Sequence, residues 1–154
     1  MKKLTSILAI AALALCLTAC GGKKEAVTVD SAKLATELLT TVTSDTLSET
    51  AAAMVPAFYG LDEASVASSV AYASAGATAC EVAVIESKEE KNTSAVEEKL
   101  KTYVKNQSDL YASYNQPEVG KLEKAVIKSA GVYTVFVVGD DAAKAEEILK
   151  GYGF

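Results

Sequence analysis

Any reactive chemistry in this 154-residue chain has to come from carboxylates, lysines, tyrosines or thiols, because histidine, arginine and tryptophan are absent. Without histidine there is no Ser-His-Asp or Cys-His nucleophile system, no imidazole zinc ligand and no side chain that ordinarily carries protons near neutral pH. Without arginine there is no planar two-pronged grip for a phosphate or carboxylate. Cys80 has no histidine to activate it, so it reads as a small apolar residue at the start of a strand. Asp140-Asp141 could take a hard cation with Glu146 or Glu147. No calcium-loop spacing surrounds them, and the plainer expectation is that Asp140 caps a helix and both acids favour its positive end. Asp62-Glu63 invites the same two readings. Tyr103, Tyr111 and Tyr114 along one helix, with Tyr59 and Tyr72 elsewhere, would suit a sugar or peptide if they clustered at the surface. They are expected instead at the core edge with their hydroxyls in water, Tyr111 lying about one residue step off the apolar stripe. Glu86, Glu89 and Glu90, interleaved with Lys88 and Lys91, read as a solvated strand end. A glycosidase pair would need a cleft between its two carboxyls. No catalytic residue, metal ligand or cofactor is expected, and no ligand-binding residue stands out.

The most specific chemistry lies near the N-terminus. Met1-Lys2-Lys3 precedes LTSILAIAALALCL, an uncharged run too short for the ~20 residues that a membrane-spanning helix needs. Basic start, apolar middle and small residues before a cut site describe a signal peptide. Here the cut site is Leu17-Thr18-Ala19-Cys20, which looks like a bacterial lipobox. In a lipobox the cysteine thiol takes diacylglycerol and the preceding peptide bond is then cut. Two acyl chains anchor stably where one does not. The competing reading of Cys20 is an ordinary buried cysteine in a membrane helix. Residues 1–19 are therefore expected as a lipoprotein signal peptide, and 20–30 as the lipidated Cys20 with a flexible tether.

Cleavage before Cys20 would leave 135 residues, enough for one domain with a proper core, expected over 31–154. The whole chain carries −5; loss of Lys2 and Lys3 leaves thirteen lysines against twenty acids, a charge of −7. That balance gives no basic patch for a nucleic acid, and it keeps the domain off anionic head groups. With Cys16 removed and Cys20 consumed, Cys80 stands alone and no internal disulfide can form.

The elements follow from spacing. Asp30 or Ser31 caps a short helix whose Leu34, Leu38, Leu39 and Val42 share a face. Pro56 interrupts the next helical piece, and Phe58-Tyr59-Gly60 reads as a chain reversal burying two aromatics. A strand ending at Gly76 is followed by a second, Glu81 to Ser87, apolar on both faces in its middle. Ser94 and Glu97 have capping-box spacing at the head of the longest helix. Val96, Leu100, Tyr103, Leu110 and Tyr114 mark its apolar face, and Glu97 and Lys101 pair on its wet side. AVIKSAGVYTVFVV has hairpin spacing around Ser129-Ala130-Gly131, and VYTVFVV should be a central strand. In the last helix Ala145, Ile148, Leu149 and Tyr152 face inward, with Gly151 closing it. The expected fold is α+β, a mainly antiparallel sheet of about four strands covered by helices on one face, plus an N-terminal helix.

YGLDEASV, GATACEVAVIE and VVGDDAAKAEEIL, within a stretch from about Lys33 to Leu149, resemble a family of small lipoproteins of clostridia-type Gram-positive bacteria, catalogued as the domain of unknown function DUF4358. Cys80 departs from the acidic residue more usual there. The resemblance implies lipid anchoring and one compact α/β domain, and brings no activity. The expected function is a non-catalytic binding or interaction module on the extracytoplasmic face of the cell membrane, anchored through diacylglycerol on Cys20. An envelope protein or a small wall-derived ligand would be its partner. Two alternatives stay open: a cell-wall enzyme working through carboxylates, Lys or Tyr, and a small solute-binding accessory of a transporter.

Overall fold

The computed structural model describes residues 27–76 and 78–154. The signal peptide and Leu17, Thr18, Ala19 and Cys20 lie outside them. Five strands form one antiparallel sheet in the order β1-β2-β3-β5-β4: β1 Ser48–Thr50, β2 Val66–Ala73, β3 Glu81–Ser87, β4 Val126–Ala130 and β5 Tyr133–Val138. β1 is the strand not anticipated; three residues, Ser-Glu-Thr, are too few to show an alternation. Ala130 pairs with Tyr133, so Gly131 and Val132 make the two-residue turn of the expected hairpin.

β3 and β5 are central, as their two-sided apolar runs require, and the two faces take different helices. Val82, Val84, Val135 and Val137 pack with Leu34, Leu38, Ala145 and Leu149 from α1 (Ser31–Leu39) and α5 (Ala142–Gly151). On the other face Ala83, Ile85, Phe136 and Val138 meet Val55, Tyr59, Val96, Leu100, Tyr111 and Leu122. These come from α2 (Val55–Tyr59), α3 (Thr93–Tyr114) and α4 (Val119–Leu122). The expectation of helices on one face is thus corrected to a three-layer arrangement. A sheet whose central strands are apolar on both sides needs cover on both. Each fully buried Val or Leu contributes roughly 1.5–3 kcal/mol.

Asp30 caps α1, its carboxylate accepting from the Lys33 N–H. Asp141, not Asp140, caps α5 by accepting from the Lys144 N–H. Gly151 is inside α5, and Gly153, at φ 90°, takes the left-handed turn that lets the Phe154 N–H reach the Leu149 carbonyl. α3 starts one residue before Ser94, so the Ser94–Glu97 box does not form. The Thr93 hydroxyl donates instead to the Glu90 carbonyl. The packed chain also reaches back into the stretch expected as tether, since Val29 is buried and Val27 lies against the same core.

Candidate functional site

Two polar clusters sit at one end of the sheet, where β3 begins and β5 ends. The first is built on Lys121 of α4. Its ammonium lies 3.1 Å from Asp140 Oδ1 and 3.2 Å from Glu118 Oε2, and donates to Ser44 Oγ at 2.8 Å. Cys80 Sγ is 3.5 Å away. Asp140 receives the backbone N–H groups of Thr43 and Ser44 at 2.6 and 2.8 Å, and the Ser44 hydroxyl at 2.8 Å. Glu118 accepts from the Ala79 N–H at 2.9 Å. Gly139 lets this loop close: a Cβ there would stand 3.0 Å from both the carbonyl and the hydroxyl oxygen of Thr41. A neighbouring tie joins Asp45 to the hydroxyls of Ser74 and Thr78 at 2.6 and 2.7 Å.

These contacts decide the protonation state. Burial pushes the Asp140 carboxyl up, but the N–H donors of Thr43 and Ser44, the Ser44 hydroxyl and Lys121 outweigh it. The group is held well below the usual carboxylate range. Lys121 loses some of its charge preference to burial and gains more from Asp140 and Glu118, so its ammonium is retained more firmly than usual. A Ser-Lys or Cys-Lys nucleophile pair needs a neutral amine to take the proton. Lys121 is a charged donor, and Ser44 gives its own proton to Asp140. The cluster therefore works as a clamp, joining the loop after α1, the start of β3, α4 and the β5–α5 turn.

The second cluster is Glu81. Its side chain is buried on the α2/α3 face, where Tyr59 of α2 donates to Oε2 at 3.1 Å and Tyr103 of α3 donates to Oε1 at 2.7 Å. Phe58, Tyr59, Tyr103 and Phe136 form an aromatic group beside it with contacting centroids 5.0–6.1 Å apart, edge-to-face except for Phe58 on Tyr103, which is tilted at 45°. Burial raises the carboxyl to about 7 against the pull of the two hydroxyls. Burial and the facing carboxylate raise both tyrosines in turn.

Beside the clamp runs an open groove lined by Lys124, Val126, Asp140, Asp141, Ala142 and Glu146. Its acids are engaged: Asp140 in the clamp, Asp141 on the α5 N–H groups, and Glu146 with Lys128 at 3.6 Å. Glu147 lines a different groove, with Lys33 and Tyr152. Cys80 is fully buried, as a strand-start residue should be, but it rests against Lys121. Asp62 caps the 3-10 turn Glu63–Ser65, accepting from the Ala64 N–H.

The tyrosines divide. Tyr59 and Tyr111 are buried, and the Tyr111 hydroxyl donates to the Thr78 carbonyl. Leu110 and Tyr114, expected inward, are 52% and 57% exposed, and Phe58 is 44% exposed. Sequence reasoning passed over Lys121, Ser44, Glu118 and Glu81. Lys121 and Ser44 carry no local signal. Glu81 carried one, a carboxylate set between Cys80 and Val82 at the head of a strand buried on both sides.

The family model described as Domain of unknown function (DUF4358) matches residues 41–139. The chain belongs to this family. The DUF4358 match takes in all five strands and α2 to α4, including Ser44, Cys80, Glu81, Glu118 and Lys121, and stops one residue short of Asp140. No curated protein and no solved structure matches the chain.

Proposed function

We propose that this protein is a lipid-anchored envelope protein, held at the extracytoplasmic face of the cell membrane by diacylglycerol on Cys20. Its folded domain is a non-catalytic binding or interaction module. The observation that carries the anchor is Leu17-Thr18-Ala19-Cys20 behind an uncharged run and Met1-Lys2-Lys3. Among the described residues no helix is long and apolar enough to cross a membrane. Seven peptide units separate Cys20 from Val27, a reach of at most about 24 Å. Val27 lies against Gly131 and Gly153, at the end of the sheet opposite Glu81 and the clamp. Anchoring therefore presents the clamp end away from the bilayer.

The non-catalytic reading is supported by the clamp, which spends Lys121, Ser44 and Asp140 on one another. One observation favours a wall-directed enzyme: Glu81 keeps its proton to about pH 7, as a general acid would. However, Glu81 does not line the groove beside Asp140, and its two oxygens are both taken by tyrosines.

The test is metabolic labelling with an alkyne fatty acid in cells making the full chain, followed by crosslinking on intact cells. Wild type should incorporate label, start at Cys20 after processing, and capture a reproducible envelope partner. Cys20→Ser should lose the label. Equal labelling of the two forms would overturn the anchor; no reproducible captured species would overturn the interaction role.

A further inference from the structure

Glu81 stands apart from the other carboxylates of the described residues because it is shut in a low-dielectric space without a cation. Among the described residues it forms no ion pair. The groups facing it are Tyr59 from α2, Tyr103 and, at longer range, Tyr111 from α3. Its sheet partners Ala73 and Val138 have nothing to titrate. Lys121 on nearby α4 is spent on Glu118 and Asp140. Every other acid of this end has a cation, backbone N–H groups or solvent to settle its charge.

We propose that Glu81, Tyr59 and Tyr103 form a proton-operated latch that holds α2 against α3 and the sheet. With the proton on, Oε1 accepts from Tyr103, and the Tyr59 contact turns round: the Oε2 hydroxyl donates to Tyr59 Oη, and the Tyr59 hydrogen swings off Oε2. The neutral carboxyl then suits its aromatic surroundings. Loss of that proton to solvent leaves a carboxylate accepting from both phenols but cut off from water, which is costly in a site of this kind. Rehydration relieves the cost, and α2 is the element that can move to admit water. It has five residues, and Val55, Pro56 and Tyr59 are its only buried side chains. α3 has twenty-two residues and is anchored by Val96, Leu100 and Tyr111. Opening α2 bares Tyr103 and Phe136 beside Leu110 and Tyr114, which share the Tyr103 flank of α3 by their i, i+7 and i+11 spacing. Raising the pH thus enlarges an apolar flank that the closed form shows only in part.

Hydrogen exchange on the full chain in detergent micelles, corrected for intrinsic pH dependence, tests this. The reporters are the N–H groups of Gly60 and Leu61, which close α2 on the carbonyls of Ala57 and Pro56. Their protection should fall about tenfold per pH unit between pH 5 and 7 and then level off, while α1 stays protected throughout. Glu81→Gln should abolish the fall and keep α2 protected at pH 8. Protection that is flat in wild type, or that still falls in Glu81→Gln, would overturn the latch. Should that variant not fold, the carbon-13 shift of the Glu81 carboxyl in wild type decides. A midpoint near pH 7 supports the proposal; one below pH 5 sinks it.

Discussion

Lys121 is the residue on which four segments converge, and its worth lies in what its removal would strand. Its side chain is 19% exposed, and Asp140 and Glu118 both point at it. Lys121→Met keeps the apolar stem and leaves two partly buried carboxylates facing each other. Urea denaturation should show a loss of about 1–3 kcal/mol. A double-mutant cycle with Asp140→Asn should return a coupling above about 1 kcal/mol. An unchanged midpoint would mean that solvent, not the protein, settles these charges. Neither Lys121 nor Ser44 announced itself in the sequence. They are 77 positions apart, and residue type alone does not say which distant hydroxyl an ammonium will meet. Cys80 shows the reverse. Its burial was legible from the strand-start context, but its ammonium neighbour was not.

At the level of elements, α3 tests how far a helical pattern can be trusted. Val96 and Leu100 point into the core as the spacing implies, yet Leu110 and Tyr114 on the same stripe are exposed and Tyr111 takes the inward place. The helix is about 33 Å long, whereas β5 beneath it, with six residues, covers about 20 Å. Its last turns therefore project beyond the sheet, and what they face is set by the loop at Thr78 rather than by the core. Leu100→Ala should cost about 2–4 kcal/mol. Leu110→Ala should stay within about 0.5 kcal/mol. Thermal melting of the two variants side by side checks this, and equal losses would place Leu110 in a packed contact. The caps tell a similar story: Asp30 does what its position implies, whereas Asp140 yields the α5 cap to Asp141 because the loop after α1 offers it two backbone N–H groups and α4 offers it the Lys121 ammonium.

For the whole molecule the two clusters bias folding in opposite directions with pH. Asp140 titrates below its ordinary 3.8, so its contribution is complete above that value and is lost as the pH falls. Glu81 is raised from 4.5 to about 7, so its contribution is complete below 4.5 and is lost as the pH climbs to 7, a decline of up to about 3 kcal/mol. Denaturation from pH 3 to 8 should therefore show greatest stability between about pH 4 and 5, with a loss on either side. A maximum near pH 7 would contradict the Glu81 limb. The sequence by itself determined the two central strands, the hairpin, the first helix and its cap, and the lack of imidazole and guanidinium chemistry. Those properties rest on residue inventory and on contacts within a few positions, which periodicity and capping report directly. Only the tertiary structure decided that helices cover both faces of the sheet, that Asp140 joins a clamp 96 residues from Ser44, and that Glu81 is enclosed by tyrosines of two helices. Such pairings depend on how strands order themselves and where loops return, and no local pattern of residue types encodes that.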